Sequence, residues 1–543
     1  MTMALEAAAV PPLFKPRTAV SLNRRFAASA AAGFLHFPCS PFAVGKTIYR
    51  APPSVLAVKE VNSSAVVTAE EATPVRIVAV VGQGTLSPLK STPWEEVMLH
   101  TAKRLKWVDE AYEMLVFTDD ICKSDHQIAV NFHTEFQRAD ILVIVSVTNQ
   151  ESVKWIQTNS QNIRNIICFD SSPNLANRLG GYDIRSESKG NILGKSFGTS
   201  QKSMNSGSEE VIQTVSQAWD RHNTDDIRFC LLVIINTYIR PVPILKNLRS
   251  RGLSTLSCMV KNCGPQVLNC LLDPNCRKAL QCLNQCSPVD QVCNYRCIAS
   301  YESPNLEAFS LCVLQKHNCL GLDAKIPDKP YVPSMVKFQG KDLCHETAED
   351  LFVGWLGSLN WSWRVVAGQN PAYDQFPCQY QLFYRGKARG SFWYEPVFQV
   401  QTLEGKMVWR RRKYRVKRSK IPGTFNFSVL DNGVVSNEFW TIVDVADDLS
   451  WGLFYYSGAA RAAGQCYTGA VLVSPDGAYP NDVHRTRLIS ALEKCGIKEW
   501  ELYTVNNASC LGPPLGIPEG SSLHSVIQVK DQQGASLLGL ADV

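Results

Sequence analysis

Residues 258–297 read CMVKNCGPQVLNCLLDPNCRKALQCLNQCSPVDQVCNYRC, and with Cys312 and Cys319 just beyond, ten cysteines fall within about sixty residues. Cys282-x3-Cys286 and Cys293-x3-Cys297 each set two sulfurs one helical turn apart on a single face. Between them, residues 287–292 (SPVDQV) carry a Ser-Pro turn signal. Two short helices folded back on each other bring outer cysteine to outer and inner to inner, which gives Cys282–Cys297 and Cys286–Cys293. The looser four before them, nested the same way, give Cys258–Cys276 and Cys263–Cys270, and leave Cys312–Cys319 to pair locally. Sequence alone leaves connectivity open, and nesting is its simplest solution. The competing reading is structural zinc, which wants short Cys-x2–4-Cys knuckles, often with histidine. This segment has no Cys-x2-Cys, and its one histidine is His317. Disulfides and no metal are therefore expected, and disulfides persist in oxidising compartments.

Outward from this segment, the 543 residues allow two or three domains at about 100–200 residues each. A net charge of +6 points to neither nucleic acid nor membrane, and nucleic acid is not expected as a partner. No run of about eighteen apolar residues could span a bilayer; the nearest, FCLLVII at 229–235, soon meets Arg240, Pro241 and Pro243. The first 60 or so residues hold Lys15, Arg17, Arg24, Arg25, Lys46 and Arg50, with Glu6 the only acid before Glu60. That acid-poor Ser/Ala/Arg composition is of the organelle-transit type, and its prolines favour chloroplast. Residues 1–70 are set aside as this segment. Arg24-Arg25 before FAASAAAGFL also fits a twin-arginine lumenal signal, although chance suffices in an Arg- and Ala-rich peptide.

Residues 71–250 read as an α/β domain. Apolar runs at 75–81, 114–117, 141–147 and 165–169 suit strands covered on both faces. Helical patterns at 126–137, 150–160 and 209–221 accompany them, and Thr92-Pro93-Trp94-Glu95 reads as a capping box opening a helix to about Lys106. Such alternation implies a parallel sheet. Gly82-Gln83-Gly84 stands where a phosphate loop would start. Ser87 replaces the third glycine and Pro88 interrupts, so a tight turn is expected there rather than a nucleotide site. Residues 186–208 are Ser/Gly/Lys-rich and read as a linker. The cysteine-rich helical domain occupies 251–325.

Residues 345–515 read as a further domain, a barrel with a following helix, and from Val353 the apolar period is two. Candidate strands at 361–366, 378–384, 391–400, 407–416, 424–430, 438–445, 453–456 and 467–473 are separated by Gly, Pro, Asn and Asp, and a helix follows at 481–495. Eight short strands suggest an up-and-down antiparallel barrel able to hold one small apolar ligand in its mouth. The basic run Arg410, Arg411, Arg412, Lys413, Arg415, Lys417, Arg418 and Lys420 reads as a solvated strand edge, with contact to anionic lipid as the sharper alternative. Residues 516–543 form a tail. The fold class is thus multidomain α+β, with oligomeric state left open.

The cysteine framework CMVKNC…DPNC…QCLNQC…VCNYRC, followed in order by WSWRVVAGQNPAYDQFPCQ, EFWTI, LFYYSG and TGAVLV, resembles the violaxanthin de-epoxidase family between about Leu253 and Pro514. These are lipocalin-type xanthophyll-cycle enzymes of plant plastids. The α/β domain ahead of it makes the chain most similar to the related proteins of that family, which carry such an extension. The resemblance implies a lipocalin-like barrel, a xanthophyll epoxide as substrate and ascorbate as cosubstrate, with no bound cofactor. It also implies a chloroplast location associated with the thylakoid, lumen favoured over stroma, with possible peripheral contact to thylakoid lipid. Epoxide removal needs a proton for the leaving oxygen, a reductant and a dry apolar cavity. Residue by residue, Asp374 and Tyr456 match family active-site positions, Trp440 matches a pocket tryptophan, and Glu438 stands where the family has a catalytic aspartate. Asp374, Glu438 and Tyr456 are the catalytic candidates, with Trp440 and Gln381 as substrate-binding candidates. All three polar groups are expected to face one cavity. Gln381 replaces a histidine, Pro377 an aspartate and Val473 a lumen tyrosine, Trp361 departs from the Gly-x-Trp signature while Trp363 is kept, and the acidic tail is missing. A sixth disulfide, Cys378–Cys510, is expected to tie the barrel to the segment after it. The alternative function is a non-catalytic carotenoid-binding or regulatory lipocalin.

Overall fold

The computed structural model describes residues 73–123, 127–173, 175, 181–185, 206–246, 253–287, 289–352, 363–385 and 392–516. The transit-type segment, most of the Ser/Gly/Lys-rich linker, Trp361 and nearly all of the tail lie outside them. Among the described residues, no helix is long and apolar enough to cross a membrane.

The apolar runs of the α/β domain become the parallel strands β1 (Val75–Val81), β2 (Tyr112–Thr118), β3 (Ile141–Val145) and β4 (Asn165–Phe169), with β5 (Tyr182–Ile184) at the edge, in the order β2-β1-β3-β4-β5. Helices α1 (Trp94–Leu105), α2 (Gln127–Gln137), α3 (Gln150–Asn159), α4 (Ser206–Trp219) and α5 (Thr224–Tyr238) pack with this sheet. Both sheet faces are covered, so β1 and β3 are buried almost throughout. The run FCLLVII lies inside α5, a core helix.

The expected capping box does not form. Pro93 is the residue before α1 and makes no side-chain cap bond, and Trp94 is the first helical residue. Thr92 instead closes a backbone turn, its carbonyl accepting from Ser87 N–H at 2.7 Å. The glycine loop is likewise a turn that ends well before a helix begins. The N–H of Gln83 is taken by Asp119 Oδ1 at 2.8 Å, and α1 starts ten residues after Gly84.

The cysteine-rich domain consists of α6 (Leu253–Leu272), α7 (Pro274–Gln285), α8 (Gln291–Ser300) and α9 (Pro304–Ser310), which runs on into a π turn at Leu311–Lys316. The inner hairpin pairs as expected, Cys282–Cys297 and Cys286–Cys293, with Cα atoms 5.7 Å apart in each, and Cys378–Cys510 also forms. The other three expected pairs are wrong. The bonds are Cys258–Cys319, Cys263–Cys312 and Cys270–Cys276. Residues 258–270 are part of α6 rather than a hairpin, and α6 only kinks at Cys263 ahead of Pro265. At about 1.5 Å rise per residue, Cys263 and Cys270 stand two turns apart, beyond disulfide reach. Cys312 and Cys319 turn outward to meet α6, so the nest closes over the whole domain.

The barrel runs through β6 (Trp363–Gly368), β7 (Tyr380–Arg385), β8 (Phe392–Gln401), β9 (Met407–Arg411), β10 (Tyr414–Arg418), β11 (Thr424–Asp431), β12 (Val434–Val445), β13 (Gly452–Ala460) and β14 (Gln465–Ser474). β9 and β10 both pair with β8 and form one broken strand, interrupted at Arg412-Lys413. β14 returns to pair with β6, which pairs with β7, so eight antiparallel strands close. Alternation sorts the side chains: in β11, Phe425, Phe427 and Val429 are buried while Asn426, Ser428 and Leu430 are exposed. Lower down, α10 (His345–Asp350) leads to Phe352, which plugs the barrel among Phe383, Phe425 and Phe454 with ring centroids 4.8–5.0 Å away. Glu349 of α10 pairs with Arg385 and Arg418. α11 (Asp482–Lys494) packs outside, and β15 (Tyr503–Thr504) adds to β6.

Candidate active site

Because the plug fills the lower barrel with phenylalanines, the open space lies above it. A cavity of about 510 Å³ opens between the upper barrel and the cysteine-rich helices. Trp440 forms its floor, stacked on Phe427 at 4.8 Å and on Tyr456 at 5.3 Å. Leu280, Leu283, Ile298, Leu306 and Leu314 line it from the helices. A molecule in this cavity therefore meets leucines and Ile298 of the helices, interspersed with Asn284, Asn294 and Ser310, and a polar, aromatic ring of barrel residues.

Glu438 lies in that ring with 7% exposure. Tyr467 donates its hydroxyl to Glu438 Oε1 at 2.7 Å, and the Trp440 indole N–H donates to Oε2 at 2.7 Å. Burial raises the Glu438 pKa above the usual carboxylate value, against the opposing pull of these hydrogen bonds and of the Arg412 charge. Burial likewise pushes the phenols of Tyr373, Tyr394, Tyr414, Tyr456 and Tyr467 upward, so they remain hydroxyl donors. Gln381 is also on the cavity wall, accepting from Tyr394 OH at 2.5 Å.

Four sequence candidates, Glu438, Tyr456, Trp440 and Gln381, thus meet in one cavity. Asp374 does not join them, and the expectation of three shared polar groups is corrected. It sits in the helical turn Ala372–Gln375, is exposed, and accepts from Gln375 Nε2 at 3.1 Å. Its neighbour Tyr373 turns inward instead, its hydroxyl donating to Tyr456 OH at 3.1 Å. Side chains of adjacent helical residues diverge by about 100°, so a single turn admits one of the pair. Val473 lies in the packed barrel interior, and Pro377 offers its carbonyl to Gln399 N–H at 2.9 Å.

Sequence reading missed Tyr373, Tyr467, Tyr394 and Tyr414. A signal for Tyr467 exists: Tyr456-Ser457-Gly458 and Tyr467-Thr468-Gly469 repeat one pattern on neighbouring strands. It also misplaced Arg412. Far from a solvated edge, this guanidinium reaches the cavity, 4.0 Å from the Tyr295 ring centroid and paired with Asp431 at 2.9 Å. Others of the basic run are paired too, Arg410 with Glu302 and Arg411 with Glu395.

Comparison with known proteins agrees with this architecture. Residues 255–507 match the VDE lipocalin domain. The chain is 24% identical over 272 residues to the violaxanthin de-epoxidase, chloroplastic, of Nicotiana tabacum, covering 48% of this chain and 52% of that protein. It is 23% identical over 242 residues to the Arabidopsis thaliana enzyme of the same name, covering 43% and 48%. The chain therefore spans about half the length of these curated relatives. Solved structures with a similar part include lobster apocrustacyanin A1, at 11% identity and TM-score 0.22 over 33% of this chain and 91% of that one. The similarity to violaxanthin de-epoxidases thus lies in the cysteine-rich helices and the barrel, residues 255–507.

Proposed function

We propose that this protein is a violaxanthin de-epoxidase-like oxidoreductase of the chloroplast, reducing the epoxide of a xanthophyll with ascorbate. The observation that carries the reading is Glu438, a carboxyl buried in the cavity wall among tyrosine hydroxyls. Its raised pKa favours the acid form, which is what a leaving epoxide oxygen requires. In the reaction both C–O bonds of the epoxide break, a C=C bond forms in their place, and the oxygen leaves as water. Ascorbate supplies the two electrons and two protons and ends as dehydroascorbate. Glu438 hands one proton to the oxygen and regains it from the reductant or from water. The apolar helical side chains suit the polyene, and the tyrosines suit the oxygenated ring.

Resemblance to relatives named as chloroplastic supports the compartment. The six disulfides among the described residues suit the thylakoid lumen, and exposed Arg415, Lys417 and Lys420 suit peripheral contact with anionic lipid. A second reading, a carotenoid-binding lipocalin without turnover, is favoured by one observation, the position of Asp374 outside the cavity. The test incubates the oxidised protein with violaxanthin, galactolipid and ascorbate at pH 5 and pH 7. Loss of epoxide, faster at pH 5, is expected. Tight binding with no loss of epoxide at either pH would replace the enzyme with the binding protein.

A further inference from the structure

Among the described residues none of the α/β domain lines the cavity, yet the start of α5 lies against two segments that lead into its wall. Asp225, in its first turn, accepts from Gln369 Nε2 at 2.9 Å. Gln369 is the first residue after β6, is 6% exposed, and also donates its backbone N–H to Ala470 O at 3.1 Å. Four residues on is Tyr373, whose ring lies so close over Gly368 that a Cβ there would stand 2.2 Å from it. On the other side, Arg221 grips Asp226 with two hydrogen bonds of 2.8 and 2.7 Å and reaches Asp290 at 3.5 Å. Asp290 caps α8, accepting from Cys293 N–H at 2.9 Å, and α8 presents Gln291, Asn294 and Tyr295 to the cavity. Asn370 Nδ2 then joins the loop to α8 through Gln291 Oε1 at 3.3 Å.

Behind this contact stands a buried charge cluster, although Asp225 and Arg228 themselves are only half-buried. Arg104, 2% exposed, binds Asp225 at 3.0 Å and Glu501 at 2.9 Å, and His100 meets Glu501 at 2.8 Å. Arg228 adds a second cation on Asp225 at 3.0 Å. Buried ion pairs contribute little net stability because desolvation offsets the attraction, but they hold geometry once formed. Here the geometry held is that of the Asp225 carboxylate, one oxygen on arginines and the other aimed at Gln369.

We propose that the α/β domain is a brace for the cavity mouth: Asp225 and Arg221 hold, through Gln369 and Asp290, the loop carrying Tyr373 and the helix facing it. Gln369 and Asp225 are positioning residues, acting on a ligand through Tyr373 and Tyr456. The part of the proposal that concerns ligand rests on the xanthophyll reading above.

The test measures hydrogen exchange in the full-length, unliganded protein. In Gln369→Ala and in Asp225→Ala, the amides of residues 369–376 should exchange about tenfold faster while strand β12 is unchanged. Asp225→Asn keeps a single acceptor oxygen for Gln369 or for the arginines, and should speed exchange less than Asp225→Ala does. Lys90→Ala removes a different contact of the same domain, that to the Leu502 carbonyl, and should leave the loop as it was. Unchanged exchange in both alanine variants, or equal loosening by Lys90→Ala, would overturn the brace. Violaxanthin titration by tryptophan quenching should show about tenfold weaker binding in the two alanine variants. A loosened loop with unchanged affinity would overturn its service to the cavity. Failure of the unmutated protein to bind violaxanthin would sink the xanthophyll reading, while the exchange result still decides the brace.

Discussion

Tyr456 and Gly469 face each other directly across β13 and β14, and the tyrosine hydroxyl occupies the space a Cβ of residue 469 would need, 2.6 Å away. The neighbouring pair reverses the roles: Tyr467 stands opposite Gly458, where a Cβ would lie 2.5 Å from its ring. Each strand thus gives up one inward side chain so that the other's tyrosine can lie across the wall. Gly469→Ala and Gly458→Ala should each destabilise the barrel by about 1–3 kcal/mol through overpacking. They should also weaken violaxanthin binding more than a substitution on the outer barrel face does. Denaturant melts and a fluorescence titration check both, and unchanged affinity would remove the tyrosine pair from the ligand site.

Glu438 makes stability depend on pH with a definite sign. Its folded pKa is raised, so burial is tolerated while the group is protonated and is penalised as pH rises through that value. Glu438→Gln should therefore raise the melting temperature at pH 7–8 relative to the unmutated protein, with the gain shrinking toward pH 4. Turnover should fall by about 100-fold or more, the usual contribution of a general acid. A gain of equal size at both pH values would show that Glu438 does not titrate in this range.

The two neighbours Tyr373 and Asp374 should separate cleanly. Tyr373→Phe deletes the hydroxyl that bonds Tyr456 and should weaken violaxanthin binding about 2–10-fold, a hydrogen-bond-sized loss. Asp374→Asn, at an exposed site, should leave melting temperature and affinity nearly unchanged and depress turnover less than Glu438→Gln does. Equilibrium binding and single-turnover kinetics on the three variants decide this. A larger turnover loss at Asp374 than at Glu438 would move the proton donor outside the cavity.

Disulfides that close long loops should matter most. Cys258–Cys319 and Cys263–Cys312 span 61 and 49 residues, whereas Cys270–Cys276 spans 6. By loop entropy the long ones contribute about 4 kcal/mol each and the short one about 2 kcal/mol. Paired Cys→Ser variants, melted in guanidinium, should follow that order. Loss of a long bridge should also lower pigment affinity, because α9 and the π turn it anchors line the cavity.

The neighbouring strand and helix patterns were readable because they are local. Ile141–Val145 and Asn165–Phe169 are short buried runs, and the alternation of Thr424–Asp431 shows which face is inside. β5 was missed because three edge residues, two of them half-buried, carry too little pattern. Trp440, Glu438, Tyr456 and Gln381 were legible through resemblance of motifs, and their strand periodicity is consistent with one shared face.

By itself the sequence determined the order of three architectures, the closing number of barrel strands and the inner cysteine hairpin, since each depends on residues a few positions apart. Only the tertiary structure decided which distant cysteines meet, because that depends on α6 continuing through Pro265 with a kink and on where the π turn lands against it. Only it decided that Tyr373 rather than Asp374 faces the cavity, because a single helical turn held by the fold aims one neighbour inward. And only it brought Asp225 to Gln369 across 144 residues, a contact made by packing one domain on another.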